Sequence, residues 1–381
     1  MKSGTAVQIC DLINLDMAVK FHWRLLQGGE TDGFTRTTGS THPAVALPDI
    51  VRQAEFCRRA EESGIQGVLT DFGSGKPDSI VLATALGMVT QSIEFIIAHR
   101  SGLLCPTIFV QQLNSLSALT GGRLSLNIVA GHSPEEQRSY GDFLPHDERY
   151  ARTGEFLEVA RRFWTGPDRV NFRGRYYQVE NGWLNTPYLS RTGRQFPELF
   201  IAGGSNQARD LAISQGTCWM RMAEKPEKIC SDAGPVLAAG KEVGLRMGII
   251  CRHTRAEALG AARELIDGLS PELRERSKES AFIQRSDSVS MRAMHELAET
   301  EWLTPCLWTG AIRTHGAAAA ALVGSPEEVA GALIEYVQAG VTQFILSGWP
   351  KLEEMVFFGR EVIPLVRKYE SAPASAAAVS R

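Results

Sequence analysis

The sequence has 381 residues, 44% hydrophobic and 22% charged, the composition of a globular chain that can bury a core without staples. Lys and Arg total 40 against 43 Asp and Glu, a formal net charge of −3, which excludes the basic excess of a nucleic-acid binder but not a local anion pocket. No run approaches the roughly 18 apolar residues of a membrane span. Asp11 and Asp16 interrupt the apolar start, so no secretory leader is expected. The seven cysteines are scattered and form no C-x-x-C pair, which suits reduced thiols in a cytoplasmic protein and not a zinc site or disulfide framework.

Ala18–Leu25 reads as a strand, followed by a Gly/Thr/Ser-rich loop from Gly28 to His42. A helix starts near Pro48, with Ile50, Val51, Ala54, Cys57 and Ala60 on one expected buried stripe and Gly64 closing it. The unit repeats as strand Gly67–Leu69, helix Asp78 to about Val89, strand Ile93–Ala98, helix Thr107–Leu119 and strand Leu124–Val129. A long amphipathic helix Glu148–Trp164 comes next, then strand Leu199–Ala202, helix Gln207–Ser214 and strands at Thr217–Arg221 and Met247–Cys251. Helices are expected near Glu227–Gly240 and Ala256–Asp267, and the last unit is helix Pro326–Gly340, strand Gln343–Leu346 and a closing helix from Leu352 to about Tyr369.

About eight strand–helix alternations predict an α/β fold, a parallel sheet closed into a (β/α)8 TIM barrel forming one domain over residues 1–370. An open doubly wound sheet is the competitor, but eight units are many for one. Insertions are expected near 171–196 and 268–316. The second carries Arg274, Arg276, Lys278, Arg285 and Arg292, a charge density suited to a lid that moves without ligand and closes over it. The Ala/Ser-rich tail 371–381 is expected to be disordered.

Several motifs invite a chemical reading. Gly73-Ser74-Gly75-Lys76 suggests a phosphate loop, but Pro77 stands where Ser or Thr is needed. Ala202-Gly203-Gly204-Ser205 feeds from a strand into a helix and suits one phosphate; an ordinary N-cap by Ser205 or Asn206 is the plainer account. Asp71, His99-Arg100, Asn127, Gly131-His132 and Ser347 fall at or after the ends of expected strands, the face on which barrels carry their sites. Arg149-Tyr150, preceded by His146, opens the long helix and could hold a phosphate or ribityl chain.

The runs Asn127-Ile-Val-Ala-Gly131, Phe143-Leu-Pro-His-Asp-Glu-Arg-Tyr150 and Phe156-Leu-Glu-Val159 resemble the bacterial-luciferase-like flavin-dependent monooxygenases. Pro197-Glu-Leu-Phe-Ile-Ala-Gly-Gly-Ser205, Leu307-Trp-Thr-Gly310, Ala321-Leu-Val-Gly324 and Phe344-Ile-Leu-Ser-Gly-Trp-Pro-Lys-Leu-Glu-Glu354 agree, in an order most similar to the alkanesulfonate monooxygenase branch. The resemblance covers residues 17 to 368 and implies a barrel with insertions. It also implies reduced FMN (FMNH2) supplied by a separate NAD(P)H:flavin reductase, and O2 as co-substrate reacting through a C4a-peroxyflavin. By resemblance, Asn127 reaches the ring, Glu136 lies close to it, Arg149 and Tyr150 contact the ribityl-phosphate arm, and Gly204 and Ser205 sit at the phosphate; Asp78 and Thr107 match positions lining the cleft.

The sequence departs from that branch where substrate is handled. Lys76 replaces a Cys, Gly248 a His (with the preceding Arg kept as Arg246) and Trp349 a Tyr; the Arg of the mobile insertion falls near His315, with Arg313 as a stand-in. Lys76, Arg246, Arg313 and Trp349 are therefore the expected substrate residues. His132, His99 and His315 are expected to steer protons, since imidazole titrates nearest neutrality. The expectation is a cytoplasmic homodimer or homotetramer that oxidises a small or medium organic molecule. An F420-dependent hydride-transfer enzyme of the same superfamily and a non-catalytic flavin-binding protein are the alternatives.

Overall fold

The structure, a computed structural model, describes residues 18–27, 47–269 and 286–371. The Gly28–His42 loop, Arg274, Arg276, Lys278 and Arg285 of the second insertion, and the tail after Ser371 lie outside the described residues.

The strands β1 (Lys20–Arg24), β2 (Gly67–Thr70), β3 (Glu94–His99), β4 (Leu124–Val129), β5 (Glu198–Ala202), β6 (Cys218–Met222), β7 (Glu242–Cys251) and β8 (Val341–Gly348) are parallel. Each pairs with the next and β8 pairs back onto β1, so the ring is a closed (β/α)8 barrel with no open edge.

The two-residue alternation of each strand sorts its side chains. Phe21, Trp23, Phe95, Ile97, Leu124, Leu126 and Ile128 join the cluster shared with the helices, whereas Ile96, Ala98, Phe200, Met220 and Ile345 fill the barrel interior. A polar layer crosses the N-terminal end. His22 Nε2 and Gln343 Oε1 are 2.9 Å apart, and Gln343 Nε2 donates to Glu198 Oε1 at 3.0 Å and to Glu242. Burial pushes His22 down to about 4 despite the Gln343 bond.

Four local expectations need correction. Val51 is 81% exposed, because at about 100° per residue it lies beyond Ala54 on the side of the helix away from Cys57 and Ala60, and Gln53 and Phe56 take its place in the buried face. The closing helix is two helices, Lys351–Glu361 and Ile363–Glu370, broken before Pro364, which has no N–H to continue the ladder. β7 begins at Glu242, not Met247. Strand Ala321–Gly324 adds parallel to the upper half of β7, with Leu307–Trp308 antiparallel beside it.

The first excursion is an antiparallel hairpin, Val170–Arg173 with Gln178–Gly182, whose Tyr177 hydroxyl donates to Ser101 O at 2.7 Å. The described part of the second insertion contains helices Val289–Leu297 and Ile312–His315. No described helix is long and apolar enough to cross a membrane.

Candidate active site

Inward positions at the C-terminal ends of β1, β2, β7 and β8 converge on one carboxylate. Asp71 accepts from Arg24 Nε at 2.5 Å and from Lys76 Nζ at 2.5 Å. Burial opposes its charge, but Lys76, Arg24 and Arg246 hold the carboxyl well below the usual range. Arg246 Nη1 in turn lies 3.3 Å from Ser347 Oγ and 3.4 Å from Ile345 O. Lys76 and Arg246, expected at the substrate, thus belong to one charged group. Arg24 was missed, although its alternation with His22 in the first predicted strand marks it as inward-facing.

A second group joins the loops after β2, β3 and β4. Arg100 is 4% exposed and donates through Nη2 to Glu136 Oε2 at 2.5 Å, while its Nε and Nη1 are buried without a hydrogen-bond partner. Its guanidinium lies over the rings of Phe72, at 4.9 Å, and Tyr140, at 5.8 Å. Glu136 also accepts from Ser74 N at 2.9 Å. Burial works against its charge, yet Arg100 and the Ser74 N–H keep its pKa below normal. His132 adjoins this group; burial first, then Arg100, lowers its pKa. Asn127 is 8% exposed on β4, in register with Ala98 and Phe200 of the inner layer, and its Oδ1 has no hydrogen-bond partner.

A third group surrounds the turn from β5 into helix Asn206–Ser214. Ser205 is the N-cap, accepting from Ala208 N at 3.2 Å, as the N-cap expectation had it. Tyr150 leans over the same turn, its hydroxyl 3.4 Å from Ala202 O and hydrogen-bonded to Ser205, with burial raising its pKa. Gly203 has φ +146°, and a Cβ there would sit 2.5 Å from Tyr150 Oη; the close approach requires glycine. Gly204 N donates to Ser290 Oγ of the second insertion at 2.7 Å. The first-turn amides of this helix have no carbonyl partner within it, the property that makes a helix start receptive to an anion.

Arg149, expected at the ribityl-phosphate arm, is held by the protein at each of its nitrogens. It is 1% exposed, and its N–H groups go to Ala130 O (2.8 Å), Leu144 O (2.9 Å) and Asp287 Oδ2 (2.7 Å). Asp78 is an exposed N-cap that accepts from Ile80 N and Val81 N. Thr107 stands in the first turn of helix Pro106–Thr120.

His99 is 3% exposed and stacks 4.1 Å from Phe109 and 5.6 Å from Phe156; burial pushes it down to about 3. It is therefore neutral at physiological pH. His315 lies edge-on to Trp349 at 5.7 Å, and burial, then Lys351, pushes it down to about 4. A Cβ at Gly248 would be 2.9 Å from Trp349 Cζ3, so the tryptophan takes the space that a side chain on β7 would need. Arg313 stands apart from the Asp71 group, close enough to His295 to help lower its pKa after burial. Asp287 and Ser290 were also missed, because nothing in the periodicity of a polar insertion singles them out.

A closed parallel barrel with charged, inward-facing residues gathered at its C-terminal rim has the architecture of a small-molecule enzyme of the (β/α)8 class. Its sequence matches the luciferase-like monooxygenase family over residues 30–343, and the chain belongs to that family. Solved structures share the fold at low identity. A riboflavin lyase, crystallised with modified FMN and riboflavin, has 20% identity and a TM-score of 0.73, with 94% of this chain and 93% of that chain covered. EDTA monooxygenase from Chelativorans sp. BNC1 has 22% identity and a TM-score of 0.71, with coverage of 93% and 95%. The F420-dependent tetrahydromethanopterin reductase from Methanopyrus kandleri has 16% identity and a TM-score of 0.63, with coverage of 91% and 99%.

Proposed function

We propose that this chain is a monooxygenase that uses reduced FMN, supplied by a separate flavin reductase, to insert one oxygen atom from O2 into an organic substrate. The observation that carries the reading is Asn127: its buried Oδ1 lacks a partner at the inward-facing top of β4. A buried unpaired acceptor is costly unless a ligand supplies the donor, and an isoalloxazine ring supplies N–H groups. The start of helix Asn206–Ser214, whose first-turn amides have no carbonyl partner within the helix, and the hydroxyls of Ser205 and Tyr150 beside it would offer N–H and O–H donors to a phosphate.

When bound, reduced FMN supplies the electrons that activate oxygen. The protein would bind and orient it: Asn127 would accept from the ring, and Ser205 and Tyr150 would hold the phosphate end. Glu136, kept ionised by Arg100, ties the loops after β2, β3 and β4 together, where they would border the ring. His132 and His315 are the remaining imidazoles for moving a proton, each in its neutral form near pH 7 because burial lowers its pKa. Trp349, filling the space over Gly248, gives a broad apolar wall suited to a bulkier, partly hydrophobic substrate, while Lys76 and Arg246, which with Arg24 outnumber the single Asp71 carboxylate, offer positive charge at the rim. The reading extends to a cytoplasmic homodimer or homotetramer.

Fluorescence titration tests it: FMN is expected to bind at least about tenfold tighter than riboflavin, the scale of one charge-assisted phosphate contact. Equal affinities contradict the phosphate assignment. Hydride transfer with F420 is the second reading, favoured by the fold shared with F420-dependent enzymes; tighter binding of F420 than of FMN would select it.

A further inference from the structure

Arg149 is among the largest fully buried side chains of the described residues, and each of its nitrogens is engaged. Its Nε reaches Ala130 O, where β4 runs into the loop; its Nη1 reaches Leu144 O, just before its own helix; its Nη2 reaches Asp287 of the second insertion. At 1% exposure it has no face toward solvent. Ala130 O also accepts from Gln137 Nε2 at 2.8 Å, so the end of β4 is held from two sides.

The insertion meets this point through residues of one short stretch. Ser286 Oγ donates to His132 O at 2.6 Å, Asp287 pairs with Arg149, and Ser290 Oγ accepts from Gly204 N at 2.7 Å. Arg292 Nη1 closes the turn on Ser286 O at 3.0 Å. Met291 and Met294 then sink into the main core. One short stretch of the insertion thus grips the ends of both β4 and β5, on the two residues, His132 and Gly204, that flank the proposed cofactor site.

We propose that Arg149 and Asp287 form a strap that fastens the second insertion onto the barrel rim before any ligand arrives, so that Arg149 is a positioning residue and not a phosphate contact. The charge of Arg149 is already neutralised by Asp287, and its planar fork is fixed by two carbonyls. Turning it toward a phosphate would give up the bonds to Ala130 O and Leu144 O and take the partner from the half-buried Asp287 carboxylate. The strap acts on cofactor binding indirectly, by holding His132 and the Gly204–Ser290 contact in place. Loosening it weakens binding of any flavin by the same factor, whether or not the flavin carries a phosphate.

The test compares the full-length protein with Asp287→Asn, Arg149→Lys and the double variant. Hydrogen exchange of residues 286–297 needs no cofactor and reads the strap directly. Each single variant is expected to exchange there about tenfold faster, with strand amides unchanged, and the double variant no faster than either single. Asp287→Glu, which keeps the carboxylate, is expected to restore most of the protection and guards against a general folding defect. In the affinity arm, which alone rests on the flavin reading, FMN and riboflavin should weaken together, leaving their ratio within about twofold of the parent. Unchanged exchange in Asp287→Asn overturns the strap, and so does a loss confined to FMN in Arg149→Lys. A parent protein that fails to distinguish FMN from riboflavin refutes the phosphate reading instead, and the exchange arm still decides the strap.

Discussion

His99 lies against Phe109 and Phe156 with its Nε2 unpartnered, and burial pushes its pKa from an ordinary 6.5 down to about 3. The folded chain therefore refuses a proton that the unfolded chain accepts, so His99 removes stability as pH falls below 6.5. With a folded value near 3, the fold binds almost no proton at pH 5, whereas the unfolded imidazole is nearly saturated. Linkage then gives a loss of about 2 kcal/mol from this residue between pH 7.5 and pH 5. His99→Leu replaces it with an apolar side chain of similar size and removes the proton acceptor. Urea unfolding followed by tryptophan fluorescence at pH 7.5 and pH 5 should show the variant losing about 2 kcal/mol less than the parent over that interval. His22 and His315 lose stability in the same window, but their losses are common to both proteins and cancel in the comparison. An equal acid loss in parent and variant would refute the buried-neutral assignment and return His99 to the set of residues able to carry a proton.

Glu136→Gln strips the 4%-exposed Arg100 of its counter-charge and should destabilise by about 2 kcal/mol, below the full cost of a buried pair because Glu136 is partly exposed; urea titration checks it. Gly203→Ala places a methyl 2.5 Å from the Tyr150 hydroxyl and is expected to weaken FMN binding more than riboflavin binding, measured by fluorescence quenching. With reductase and NADH present, sulfite release from C1 to C10 alkanesulfonates should be slow, because Trp349 fills the space over Gly248; kcat/KM above about 10⁴ M⁻¹s⁻¹ would contradict the rebuilt pocket.

The barrel was legible because each strand–helix unit carries its own period, and in two of them a glycine with positive φ, Gly64 and Gly121, marks the helix end. β7 was shortened in the reading because Glu242, Gly244 and Arg246 face the barrel interior and break the apolar run that marks a strand from outside. Ala321–Gly324 was missed as a strand because four small or apolar residues pair only with β7 and its own antiparallel neighbour, a contact that no local pattern encodes. At the site, strand-end position located Asp71, Arg100 and Asn127. It could not reveal that Arg149 is saturated by Ala130, Leu144 and Asp287, since its ion-pair partner lies 138 positions away. Nor could it show that His99 stacks on the rings of Phe109 and Phe156.

The most direct measurement is an anaerobic titration of the protein with FMNH2 and with reduced F420, followed by admission of O2 and recording of oxygen uptake. Preferential binding of FMNH2, with its subsequent reaction with O2 altered from that of free FMNH2, is the result the account predicts. Tighter binding of reduced F420, or an FMNH2 oxidation rate that the protein leaves unchanged, would contradict it.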